Sequence, residues 1–183
     1  MKIIIAGGGT GGHLFPAIAM AQIIKSDSPT NEVLFLCTER GFDSNTLPKY
    51  GFPFKTLPSP RWMGLIMVPV FFVSLIRAVF QALRVINEFS PDAVIGAGGY
   101  GAFPAIFAGF LLRVPCYLLE QNVLPGRTNR ILSVFAVKVF SQWESSKKHL
   151  LFQDKFAFTG NPLRSEMTRK PHNSARKTRN GKQ

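Results

Sequence analysis

The sequence predicts a doubly wound α/β domain: a parallel sheet with helices on both faces. Short apolar runs alternate with helical stretches along the chain, as in consecutive βα units. The runs are apolar at nearly every position, as strands covered on both faces must be. Two of them end in glycine clusters that lead straight into a helix.

Taken in order, residues 2–6 form the first strand and meet the glycines of AGGGTGG. A helix over 17–25 follows, with Pro16 in its first turn, where a missing N–H is tolerated. Residues 33–37 are a second strand, 45–50 a short helical turn and 54–57 a short strand. A long helical stretch reaches residue 89. Residues 93–95 enter the second glycine cluster, GAGGYG, before a helix over 102–112. Then come a strand over 116–119, a helix over 127–135, and short strands at 137–140 and 156–158. The expected core includes Ile4, Leu34, Leu36, Val94, Ile95, Leu118 and Val139.

The 183 residues carry 22 bases and 10 acids, a formal charge of +12, and 46% are hydrophobic. That is enough apolar material for one folded domain and too little chain for a typical two-domain enzyme. Cys37 and Cys116 lie far apart inside apolar runs. This spacing excludes a zinc site or a disulfide framework and reads as buried thiols in a reducing compartment. The apolar run at the N-terminus is too short for a secretory signal. Residues 165–183 hold six bases, one acid and almost nothing apolar, so they read as a disordered tail. Such a tail either touches an anionic partner, RNA or lipid, or is simply solvated. The basic remainder points to an anionic partner such as phosphate or a membrane surface.

In open parallel sheets, ligands bind beyond the carboxyl ends of the strands. Four polar segments should converge there: residues 7–13, 96–101, 120–122 and 159–164. The first combines glycines, which let backbone approach a ligand, with a helix N-terminus, which offers N–H groups to a phosphate. Gly7, Gly9 and Gly12 also satisfy G-x-G-x-x-G, with Glu39 at the end of the second strand, so a dinucleotide-dependent oxidoreductase competes. His13 is placed either as a general base or to hydrogen-bond a loop carbonyl. The second cluster repeats the first. Together they hold two ends of a diphosphate, or they only permit tight turns. Glu120, Gln121 and Asn122 suit hydroxyl and amide recognition, or form an ordinary turn. Gly160, Asn161 and Pro162 form a turn ahead of Arg164, an anion contact or a surface charge.

Arg61 and Arg77 bracket fifteen uncharged residues. As a helix these span about 22 Å, short of a bilayer core of about 30 Å, and Pro69 interrupts them. Ser74, Arg77, Gln81, Arg84 and Glu88 then recur as a polar stripe. The stretch either presses into a lipid interface, with Trp62 and the arginines at the boundary, or is covered by protein.

GGTGGH (8–13), GAGGYG (96–101), EQN (120–122) and TGNPLR (159–164), in this order, resemble the MurG family of bacterial glycosyltransferases. That family adds N-acetylglucosamine from UDP-GlcNAc to an undecaprenyl-diphosphate-linked muramyl-pentapeptide during peptidoglycan synthesis. The resemblance implies the Rossmann-like N-terminal domain of a two-domain GT-B enzyme, over residues 1–164. It implies an inverting displacement with no metal or nicotinamide cofactor, and no nucleic-acid partner. Carried over position by position, Thr10, Gly11, Gly12, Asn122 and Arg164 contact the donor. His13 is the base, with Glu120 the next candidate. Gly8, Gly9, Gly98, Gly99 and Tyr100 hold the acceptor diphosphate. Trp62, Phe71, Phe72, Arg77 and Arg84 form a patch for anionic lipid, seating the protein peripherally on the cytoplasmic face of the plasma membrane. Leu119 stands where the family usually has His. The match stops at Arg164, so the chain reads as an N-terminal half without the donor domain, inactive or nearly so alone. A non-catalytic fragment that binds membrane or lipid diphosphate is the third reading.

Overall fold

The structure is a computed structural model that describes residues 1–39, 41–58 and 68–163. Arg61, Trp62, Arg164 and the basic tail therefore lie outside the described residues. Among the described residues, seven parallel strands form one sheet in the order β3-β2-β1-β4-β5-β6-β7. They are β1 (Lys2–Ala6), β2 (Glu32–Thr38), β3 (Phe54–Leu57), β4 (Ala93–Gly96), β5 (Cys116–Glu120), β6 (Lys138–Ser141) and β7 (Phe156–Phe158). The helices are α1 (Gly11–Asp27), α2 (Gly41–Thr46), α3 (Val68–Phe89), α4 (Ala102–Leu111) and α5 (Arg127–Leu132).

Each strand sends alternate residues to opposite faces. Ile4, Leu34, Leu36, Val94, Leu118 and Val139 form one core with Ala82, Val85 and Ile86 of α3 and Ala105 and Ile106 of α4. Ile3, Ile5, Val33, Phe35, Cys37, Ile95 and Leu119 form the other with Leu14, Ala17, Ile18 and Ala21 of α1. All seven expected core residues are buried, and the sheet is covered on both sides. Both cysteines are buried free thiols. Desolvation pushes each up to about 12, helped at Cys37 by the charge of Asp43.

Several boundaries differ from the sequence expectation. α1 begins at Gly11, so Pro16 lies inside the helix rather than in its first turn. The carbonyl its missing N–H would have met belongs to Gly12, an exposed residue at the helix start. Pro69 is the second described residue of α3, and residues 62–67, the part of the uncharged stretch that precedes the helix as described, lie outside the described residues. β5 runs one residue further than expected and takes in Glu120. α5 stops at Leu132, three residues early, where Ser133 bonds back to the Arg130 carbonyl at 2.7 Å.

α3 is long and apolar enough to cross a membrane by length and composition. Ala78, Ala82, Val85 and Ile86 are nevertheless buried in the domain, so the helix is one of its layers. Its outer face carries Phe72, Val73, Ile76 and Phe80 into solvent. Phe71 is half-buried and edge-on to Phe72. Arg77 is exposed. Arg84 is paired with Glu88 at 3.0 Å, and Lys55 meets the other oxygen of the same carboxylate at 3.0 Å. Those two hydrogen bonds, Lys55 first, hold the Glu88 carboxyl below its ordinary range.

Candidate functional site

β1 and β4 are hydrogen-bonded neighbours, although residues 7–92 separate them in the chain. The crossovers on either side leave in opposite directions, which opens a crevice at the carboxyl ends of these two strands. Both glycine loops start there. Each is tied to a neighbouring strand: the Gly7 N–H donates to the Leu36 carbonyl at 3.0 Å, and the Ala97 N–H to the Ala6 carbonyl at 2.7 Å. Gly7 has φ 120°, and a Cβ on it would lie 2.5 Å from the Gly98 carbonyl oxygen. Gly98 has φ 102°, and its Cβ would lie 2.7 Å from Nδ1 of His13. Only glycine fits either position, because a side chain would be strained and would also collide.

His13 is the third residue of α1, and its ring lies against Gly98. Its Nδ1 is 3.1 Å from Oε1 of Gln121. The Gln121 amide NH₂ donates to the Ala97 carbonyl at 3.3 Å, which turns the amide oxygen toward the histidine. In the neutral ring this geometry puts the proton on Nδ1 and leaves the lone pair on Nε2. The sequence places Gln121 beside the cleft but does not single it out. Its partner is 108 residues away, so no local pattern carries that signal.

Two hollows meet at His13, Gly99 and Tyr100. One, of about 260 Å³, adds Glu120, Asn122, Gly126, Arg127, Thr128 and Asn129. The other, of about 230 Å³, adds Gly8, Gly9, Thr10, Thr38 and Gly101. Gly11 and Gly12 lie just behind, at the start of α1. Gly12 is exposed, and a Cβ there would meet nothing within 4 Å. Arg127, absent from the sequence expectations, puts a cation on the wall of the first hollow. The only hint of it is a Gly-Arg step opening a short helix.

Two carboxylates lie under these walls. Asp43 is fully buried and accepts the Gly9 N–H on both oxygens, at 2.8 and 2.9 Å, with the Thr38 hydroxyl at 3.4 Å. It shapes the first loop from 34 residues away, and sequence reading missed it. Glu120 is 2% exposed. Its Oε1 accepts the Asn122 backbone N–H at 2.8 Å and the Asn122 side-chain amide at 3.0 Å. Its Oε2 accepts from Gly126 at 3.1 Å and Asn129 at 2.9 Å. A carboxylate held by four donors knots the loop after β5, which speaks against the expectation of Glu120 as an alternative base. Asn122 is exposed beside it, its carbonyl accepting the Ser146 hydroxyl at 3.0 Å. Leu119 is buried in the α1-side core, so that position faces packing rather than the cleft.

Residues 3–141 match the glycosyltransferase family 28 N-terminal domain. The chain belongs to this family. A Clostridioides difficile relative, named UDP-N-acetylglucosamine–N-acetylmuramyl-(pentapeptide) pyrophosphoryl-undecaprenol N-acetylglucosamine transferase, is 40% identical over 97% of this chain and 44% of its own length. A Pelobacter propionicus protein of the same name is 41% identical over 91% of this chain and 44% of its own. The chain thus spans less than half the length of these curated family relatives. Among solved structures, Acinetobacter baumannii MurG superimposes with a TM-score of 0.74 at 28% identity, over 90% of this chain and 46% of that one. A Neisseria meningitidis UDP-GlcNAc 2-epimerase reaches 0.64 at 21% identity, over 88% and 46%, and shares the fold. The family match takes in both glycine loops, His13 and Glu120–Asn122 and stops short of residues 159–164.

Proposed function

We propose that this chain supplies the acceptor side of an inverting transfer of N-acetylglucosamine. The donor is UDP-GlcNAc, and the acceptor is an undecaprenyl-diphosphate-linked N-acetylmuramyl-pentapeptide. The observation that carries this reading is the placing of His13: a histidine with its lone pair on Nε2, where two glycine-walled hollows meet. The relatives' printed name supplies the substrates. The acceptor diphosphate lies along Gly8, Gly9 and Gly98–Tyr100, facing the N-termini of α1 and α4. Because Asp43 takes the Gly9 N–H, the anion meets the amides that follow it and the start of α1. The acceptor hydroxyl attacks the anomeric carbon of the donor and gives its proton to His13 Nε2. The bond from that carbon to UDP breaks, and UDP leaves with the electron pair. Thr10, Gly11, Gly12, Asn122 and Arg164 contact the donor. The remaining donor contacts come from sequence equivalent to the other half of the relatives.

The outer face of α3, with Phe72 and Arg77, seats the protein peripherally on an anionic membrane at its cytoplasmic face. The dinucleotide reading built on Gly7, Gly9, Gly12 and Glu39 loses support from the family assignment.

The test is transfer of labelled sugar to the lipid acceptor, with the chain alone and joined to the C-terminal half of the C. difficile relative. The chain alone should show negligible turnover, since holding both substrates together supplies roughly 7–11 kcal/mol of a barrier. In the joined enzyme, His13→Ala should lower kcat by roughly 100- to 10,000-fold. Near-normal turnover of that variant would place the base elsewhere, and robust transfer by the chain alone would overturn the half-site reading.

A further inference from the structure

Both substrates of the proposed transfer carry a diphosphate, and glycine loops read phosphate without regard to what is attached to it. Something beside the loops must tell the two apart. α3 and α4 pack together on one face of the sheet, and between them lies an apolar groove of about 330 Å³. Leu75, Ile76, Val79 and Phe80 line it from α3, Phe103 and Phe107 from α4. None of the six has a polar side-chain atom. Ile76 and Phe80 are 53% and 68% exposed, so the groove opens to solvent.

The topology puts this groove next to the second glycine loop. α3 hands over to β4 through residues 90–92, so its C-terminal end lies at the amino edge of the sheet. Going back from Ser90 to Phe80 and Leu75 climbs about 15–22 Å of helix. Strands of four or five residues rise only about 13–17 Å. The groove therefore lies level with the carboxyl edge, where α4 begins. Phe103 is the second residue of α4 and follows Tyr100 of the loop by three positions. Phe107 lies one turn further on and stacks with Phe103 at 5.8 Å between ring centroids.

In a polyprenyl diphosphate, the first isoprene carbon is joined to the diphosphate through a single oxygen. A diphosphate at the start of α4 thus delivers its chain to Phe103 and onward along the helix. We propose that the α3/α4 groove binds the first isoprene units of the acceptor's polyprenyl chain, so that loop and groove hold one ligand together. The assignment rests on the reading of the glycine loops as a diphosphate site. It makes the groove a specificity device. A nucleoside diphosphate has nothing to put there, whereas a lipid diphosphate gains affinity from burial in it. A bilayer acyl chain has no tether that would bring it into register with the loop.

The experiment is calorimetric titration of the 183-residue chain with pyrophosphate and with dimethylallyl, geranyl and farnesyl diphosphates, below their micellar concentrations. Affinity should rise roughly tenfold with each added isoprene, a fraction of what full burial of five carbons would supply. Ile76→Asn and Phe80→Ser, both at exposed positions, should flatten the series while leaving pyrophosphate affinity in place. Equal affinity across the series in the unmodified chain would overturn the groove and leave the loop reading standing. Farnesol binding as tightly as farnesyl diphosphate, and indifferent to Gly98→Ala, would reveal an apolar surface unconnected to the loop and would also overturn it. Failure of every diphosphate to bind would remove the loop reading and the groove with it. A dimer dissolved by Phe80→Ser would assign the groove to a second copy of the chain instead.

Discussion

Gln121 decides which ring nitrogen of His13 carries the proton, through one hydrogen bond of 3.1 Å. Gln121→Leu should release that choice. Nitrogen NMR of the histidine should show the single tautomer giving way to a mixture, and kcat of the joined enzyme should fall by roughly tenfold or more, part of what a general base contributes. Gln121→Glu keeps an acceptor for the Nδ1 proton and should restore the tautomer. An unchanged tautomer in Gln121→Leu would sink the assignment. Asp43 works on the first loop in a comparable way. Asp43→Ala leaves the Gly9 N–H and the Thr38 hydroxyl without their acceptor, and should lower unfolding stability by about 1–3 kcal/mol in a urea titration. The glycines and His13 were legible because their signal is contiguous: a strand, a turn and a helix start in one short run. Gln121 and Asp43 were not, because a hydrogen bond across 108 or 34 residues leaves no pattern in the chain.

At the scale of elements, α3 has two distinct faces. Its buried alanines and Val85 and Ile86 belong to the core, while Phe72 and Val73 are exposed. Phe72→Ser should release the chain from anionic vesicles in a sedimentation assay. Salt should weaken binding without abolishing it, since each nearby base adds only about 1 kcal/mol at an anionic surface. Arg77 should matter more than Arg84, whose charge is shared with Glu88 at 3.0 Å. Undiminished sedimentation of the Phe72 variant would reject the patch. The order of strands and helices was readable from apolar runs and glycine punctuation. Their ends were less so, for identifiable reasons. Proline favours a helix start, which puts Pro16 there on sequence grounds, but the glycines ahead of it are already helical. A polar residue after an apolar run reads as loop, but four donors let the strand carry the Glu120 carboxylate at its buried end.

Across the whole molecule, one thiol sits in each of the two cores, and burial pushes both up to about 12 from an ordinary 9.0. Above pH 9 the unfolded chain releases protons that the folded chain retains. Stability should therefore be unaffected by these groups below pH 9 and fall as pH rises from 9 toward 12. Urea unfolding at stepped pH measures the decline, and Cys37→Ala should make it shallower. Ellman's reagent should find neither thiol until denaturant is added; prompt labelling of the native chain would contradict the packing. The pairing of β1 with β4 also sets a clock. Ala6 meets its neighbour Gly96 only after some ninety further residues have been made, on the order of ten seconds at a ribosome adding roughly 5–20 residues per second. Until then one edge of Ile3, Ile4 and Ile5 is unpaired, and no hollow exists around His13. Anion capture at the proposed diphosphate site should therefore report that synthesis has passed β4, and β1 is the segment that a ribosome-bound chaperone should shield in the interval.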